Sequence, residues 1–157
     1  MQTARPTPAA ARSARAMLAS AAAAATLFGA CQRYPYDPTK ATRAYPSQLK
    51  QGSVADIQAI PDLAAGQLTL VNPTATGYAD FDLWLNRRYV RHVDALPAGG
   101  SVTMPIDSFW DERGEGPFPG GWFRYFEPTP IVLVQIEPGK DAPLVGLVAK
   151  PPDKPQR

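Results

Sequence analysis

The 157-residue chain has one cysteine and one histidine, and its first thirty residues hold no acidic side chain. A single cysteine excludes an internal disulfide and any zinc or iron–sulfur centre built from several cysteines. Long apolar runs are also missing. The longest stretch, residues 16–30, has fifteen residues where a stable membrane crossing needs about 20, and most of them are weakly hydrophobic alanine. No nucleophile elbow and no D-x-D-x-D-G calcium loop occurs, so the residues name no reaction. Basic charge is scarcer than the formal +2 suggests. Arg5, Arg12 and Arg15 account for it, and from Cys31 onward 13 basic side chains face 14 acidic ones. Nucleic-acid binding therefore lacks an electrostatic basis, and the cluster Arg87, Arg88 and Arg91 reads as a solvated patch.

What is present begins with an ordered leader. Residues 1–30 contain 13 alanines and run from a basic zone ending at Arg15, through the apolar stretch, to Cys31. That order is an export signal, and the export context makes a leftover thiol chemically awkward. An ordinary signal-peptidase cut with Cys31 incidental, or an uncleaved helical anchor, are the competing readings. The run Leu27-Phe28-Gly29-Ala30-Cys31 resembles the lipobox of bacterial lipoproteins, with small residues before the cysteine and Phe28 where leucine is usual. The resemblance implies that residues 1–30 are a removed signal peptide and that the Cys31 thiol receives a diacylglyceryl group. It also implies that the new amino terminus is acylated and that Gln32 directs the protein to the outer membrane.

Residues 31–52 carry Pro35, Pro38 and Pro46 among polar residues and three tyrosines, without period 2 or 3.6. They are expected to be a lipid-anchored flexible linker, able to stretch to roughly 70 Å or to average about 25 Å as a coil. Docking of Tyr34, Tyr36 and Tyr45 on the domain, or their seating in the membrane interface, is the other possibility. Residues 53–150 read as short strands broken by proline and glycine, near 54–60, 67–72, 79–86, 89–94, 101–106, 122–126, 131–137 and 144–149. The clearest alternation sets Phe81, Leu83 and Leu85 inward against Asp80, Asp82 and Trp84 outward. Asn86-Arg87-Arg88 and Leu96-Pro97-Ala98-Gly99-Gly100 are reversals, and Pro105 belongs on an edge. The Ile131 to Ile136 run, apolar on both faces, suits a covered central strand. Residues 151–157 are expected to be a disordered tail. The fold class is all-β: a single antiparallel β-sandwich of about seven or eight short strands.

The stretch from Leu70 to Ile106, "VNPTATGYADFDLWLNRRYV" followed by "LPAGGSVTM", is similar to the middle strands of immunoglobulin-like and fibronectin-type-III-like modules of bacterial surface proteins. The resemblance implies an immunoglobulin-like sandwich and no particular activity.

Seven of the fifteen aromatics fall within residues 109–126, beside Asp107, Asp111, Glu112, Glu115 and four glycines. Rings next to carboxylates can stack on and hydrogen-bond a sugar, so Trp110, Trp122 and Tyr125, extended by Trp84, form a candidate ligand platform. Pinning of a glycine-rich loop to the sandwich explains the same rings. The acids lack calcium-loop spacing, and no metal or cofactor is expected. His92 and Asp94 share a strand face with Ser101 or Ser108 as nominal triad partners, but no catalytic residue is assigned. The expected function is a cell-envelope lipoprotein with a non-catalytic binding or assembly role. A carbohydrate- or peptidoglycan-binding module is the alternative, and a small envelope hydrolase the distant one. The expected partners are the membrane, through the lipid, and another envelope protein or a glycan.

Overall fold

The structure, a computed structural model, describes residues 34–120 and 126–150. The leader, Cys31, Trp122, Tyr125 and the tail from residue 151 lie outside the described residues. Seven strands follow in order: β1 (Gln51–Asp62), β2 (Gln67–Val71), β3 (Tyr78–Leu85), β4 (Tyr89–Leu96), β5 (Ser101–Pro105), β6 (Val134–Glu137) and β7 (Leu144–Ala149). They form one mixed sheet in the order β4-β3-β6-β7-β1-β2-β5. The protein is all-β, and the sheet curls into a near-barrel round a core to which every strand contributes.

The alternating pattern explains the inward set. Leu68 and Leu70 of β2, Phe81, Leu83 and Leu85 of β3, and Val134 and Ile136 of β6 are buried in one apolar cluster. Their successive positions point to one face because the strand repeat is two residues. The β3–β4 reversal is tight: Asn86 and Arg87 both have positive φ (52° and 57°), and the Arg88 N–H donates to the Leu85 carbonyl at 3.0 Å. Two successive left-handed residues at the head of this three-residue loop match the right-handed twist of the strands, which is why an asparagine leads. The Asn86 side chain then donates to the Pro130 carbonyl and accepts from the Val132 and Leu133 amides. Residues 130–133 are thereby held as a loop, and β6 begins only at Val134.

The sheet is not purely antiparallel as expected. β1 runs parallel to β7, from Gln51 opposite Leu144 to Ala59 opposite Ala149, with two register shifts, while its last residues pair antiparallel with β2. Local alternation reports which face a residue takes and nothing about the direction of a neighbour ninety residues away. The strand expected near 122–126 falls mostly outside the described residues, and Phe126 is not in a strand.

The two larger departures belong together. Trp84, expected outward, is 0% exposed. The segment expected to be a tether runs along the sheet from Tyr34 to Lys50 and covers it. Tyr45 packs edge-on against Trp84 with ring centroids 5.2 Å apart, and Leu49 packs on the same small cluster of Trp84, Val90 and Leu144. At its start the segment is pinned through backbone: the Asp37 N–H donates to the Gly114 carbonyl, the Gly116 N–H to Pro35, and the Thr42 N–H to Asp111, at 2.8–2.9 Å. Gly114 has φ +77°, and a Cβ there would stand 2.2 Å from the Asp37 carbonyl oxygen, so only glycine permits the approach.

Arg87 in a left-handed turn position costs the fold free energy that glycine would not. Arg87→Gly is expected to raise stability by about 1 kcal/mol, read as a higher denaturant midpoint with an unchanged slope.

Candidate functional site

The outer face of β3, β6 and β7 is where the polar chemistry gathers. Gln135 and Glu137 of β6 are buried beside Trp84 on this face. A carboxylate there must be compensated. Glu137 accepts from the Trp84 indole N–H at 2.8 Å and from the Arg43 guanidinium at 2.6 Å. Arg43 also pairs with Asp82 at 2.5 Å and lies over the Trp84 ring, 4.9 Å from its centroid. The Tyr45 hydroxyl donates to Gln135 Oε1 at 3.0 Å, and Gln135 in turn donates to Gln51. The face is closed by side chains of the N-terminal segment, each with a specific partner.

Outside this closure lies an open groove of about 450 Å³, lined by Arg43, Asp80, Asp82, His92, Glu137 and Lys140. The His92 ring nitrogens stand 3.1 Å from Asp82, 3.3 Å from Asp80 and 3.8 Å from Asp94. Burial would push the Asp82 carboxyl up, but hydrogen bonds from Arg43 and His92 outweigh it and hold it below its ordinary value. The shared strand face of His92 and Asp94 is therefore real, yet no serine lines the groove. The Ser108 hydroxyl instead takes a hydrogen bond from Arg91.

A second groove, about 480 Å³, opens beside Tyr45, Arg87, Arg88, Asp111, Glu112 and Arg113. Asp111 organises it. One carboxylate oxygen accepts from the Arg113 and Glu115 amides at 2.9 and 2.8 Å, and the other accepts from Arg88 at 2.9 Å. Burial would raise the Asp111 carboxyl, and the two amides and Arg88 together hold it below its ordinary value. Arg88 also pairs with Glu115. Asp111 and Glu115 are thus engaged in tying a turn together. Among the described residues, no group of three or more His, Cys, Asp or Glu is placed to hold a metal ion.

The candidate platform is only partly described. Trp84 is buried and closed to a ligand. Trp110 is half-buried: its backbone bridges Val90 on the edge of β4, its carbonyl accepts from the Thr42 hydroxyl, and Lys40 lies 4.5 Å from the ring centroid. Trp122 and Tyr125 lie outside the described residues. Sequence reasoning missed Arg43, Gln51, Gln135 and Glu137. The one available signal was the pair of polar residues inside an otherwise apolar strand run, which marks a second covered face. Comparisons of the chain with protein-family models, with the curated proteins and with the solved structures found no match.

Two outcomes test this account. Trp84→Ala removes a fully enclosed ring and is expected to lower stability by about 3–5 kcal/mol in denaturant titration, as core tryptophan truncations do. The acid response follows from the depressed carboxyls of Asp82 and Asp111. At acid pH the unfolded chain binds more protons at these groups than the folded one, so their contribution is complete above the ordinary value of 3.8 and fades as pH falls below it. Asp111→Asn should flatten that part of the stability-versus-pH curve, followed by tryptophan fluorescence.

Proposed function

We propose that this chain is a lipoprotein of the bacterial cell envelope, held on the membrane by acyl groups on Cys31. In this reading it carries an immunoglobulin-like β-sandwich that binds or assembles with another envelope component and performs no reaction of its own. The carrying observation is the leader: a basic zone, a short alanine-rich stretch and Gly29-Ala30 before the chain's sole cysteine. Two or three acyl chains make an effectively permanent anchor, because each buried methylene contributes about 0.8 kcal/mol and one chain alone is marginal. Gln32 after the cysteine favours the outer membrane.

The domain type is supported by the strand order. In this reading it splits into β4-β3-β6-β7 and β1-β2-β5, joined by the twelve-residue β1, which pairs parallel with β7 from Gln51 to Ala59 and antiparallel with β2 from Gln58 to Asp62. The non-catalytic part of the reading is supported by how the charged groups are used. Arg43, Asp82 and Glu137 in one groove, and Arg88, Asp111 and Glu115 in the other, are engaged with each other.

Intact-mass analysis of the membrane-extracted protein tests the anchor. The mature chain is expected to start at Cys31 and to carry acyl mass, and Cys31→Ser should leave an unprocessed, unacylated precursor. A native protein that retains residues 1–30 without acyl groups overturns the reading.

A further inference from the structure

The lipid-anchored chain has almost no slack between its anchor and its folded body. Tyr34, the first described residue, already packs on the domain, its ring 4.8 Å from that of buried Phe118. Pro35 and Asp37 are hydrogen-bonded to the 114–116 turn, and Tyr36 forms a bridge with Glu115. Two residues separate Cys31 from Tyr34. Whatever conformation they take, three Cα–Cα steps of 3.8 Å limit the separation of the two Cα atoms to about 11 Å. The polar layer of one leaflet is itself roughly 5–8 Å thick. A domain tied this closely can stand only a few ångströms clear of the headgroups, and the pole bearing Tyr34 is the part held nearest to them.

The chemistry of that pole fits the encounter. Tyr34 and Tyr36 are 62% and 64% exposed. Beside them is an apolar groove of about 250 Å³ lined by Pro35, Leu63, Ile106, Pro117, Phe118 and Pro128. Tyrosine has an apolar ring and a polar tip, which is why it collects at membrane–water boundaries. The charged groups nearby balance: Asp37 is paired with Lys40 and Glu115 with Arg88, and Asp107 is matched in charge by Arg33, the residue before Tyr34 in the sequence. Attraction to an anionic surface is therefore not the source of contact.

We propose that the pole formed by Tyr34, Tyr36 and the Phe118 groove is the membrane-facing end of the domain, seated in the headgroup layer of the bilayer that holds Cys31. This rests on the lipoprotein reading above. The pole carries the β2 start and the β5 end, where the Ile106 N–H donates to Gly66. The far ends of β2 and β5 lead to the turns of residues 72–77 and 97–100, joined where the Asn72 N–H donates to Gly100. Those turns then project away from the membrane.

The test uses the mature, acylated protein, whose Cys31 thiol is blocked, so that one introduced cysteine can be labelled. Tyr36→Cys and Ala98→Cys carry an environment-sensitive fluorophore in phosphatidylcholine vesicles doped with a nitroxide-headgroup lipid, and Tyr34→Cys repeats the first measurement independently. The fluorophore at 36 or 34 is expected to shift to the blue and lose emission to the nitroxide, while that at 98 behaves as in buffer. Added anionic lipid should not strengthen the quenching. If intact mass confirms acylation but the label at 36 and 34 is as wet as that at 98, the orientation is wrong and the anchor stands. A chain without acyl mass sinks the anchor, and the orientation with it.

Discussion

A buried carboxylate on the outer face of the sheet sets the terms for much of this molecule. Glu137 lies on β6, an inner strand between β3 and β7, where both faces are covered, and an unpaired charge there would be far costlier than any single contact is favourable. The Trp84 indole N–H and the Arg43 guanidinium satisfy it. Because Arg43 belongs to the segment preceding β1, satisfying Glu137 draws that segment onto the sheet. Tyr45 and Leu49 follow and complete the cover over Trp84.

This makes the N-terminal segment part of the fold. A proline-bearing stretch with no period would ordinarily be solvated coil, and nothing in its own composition demands order. It is ordered because it supplies what the sheet lacks: a cation for Glu137, a hydroxyl for Gln135, and apolar surface for Trp84. The same principle operates at the 111–115 turn. There Asp111 receives two amides and Arg88, and Gly114 admits the Asp37 carbonyl to a distance no side chain would allow. Both conspicuous groups of charge in the described domain are thus joints between the segment, the sheet and the turn.

For the proposed function the consequence is one of geometry. An anchor on a long leash lets a domain search tens of ångströms of space in any orientation. An anchor two residues from a packed tyrosine presents one end of the domain to the lipid and the other to whatever lies beyond. A binding protein built this way trades reach for orientation.

The sequence alone determined the all-β class, all seven strands to within about three residues, the inward set Phe81, Leu83 and Leu85, and the turn at Asn86. Each of these is a local property: a two-residue repeat, a breaker, or a residue that tolerates positive φ. The tertiary structure decided the rest. That β1 lies parallel to β7, that Trp84 is enclosed, and that residues 34–50 form a cover all depend on which distant segments meet. A period-2 pattern says that Trp84 and Leu83 face opposite ways, but not whether the second face is wet. Only the meeting of Arg43, Tyr45 and Glu137, brought together across some ninety residues, closes that face.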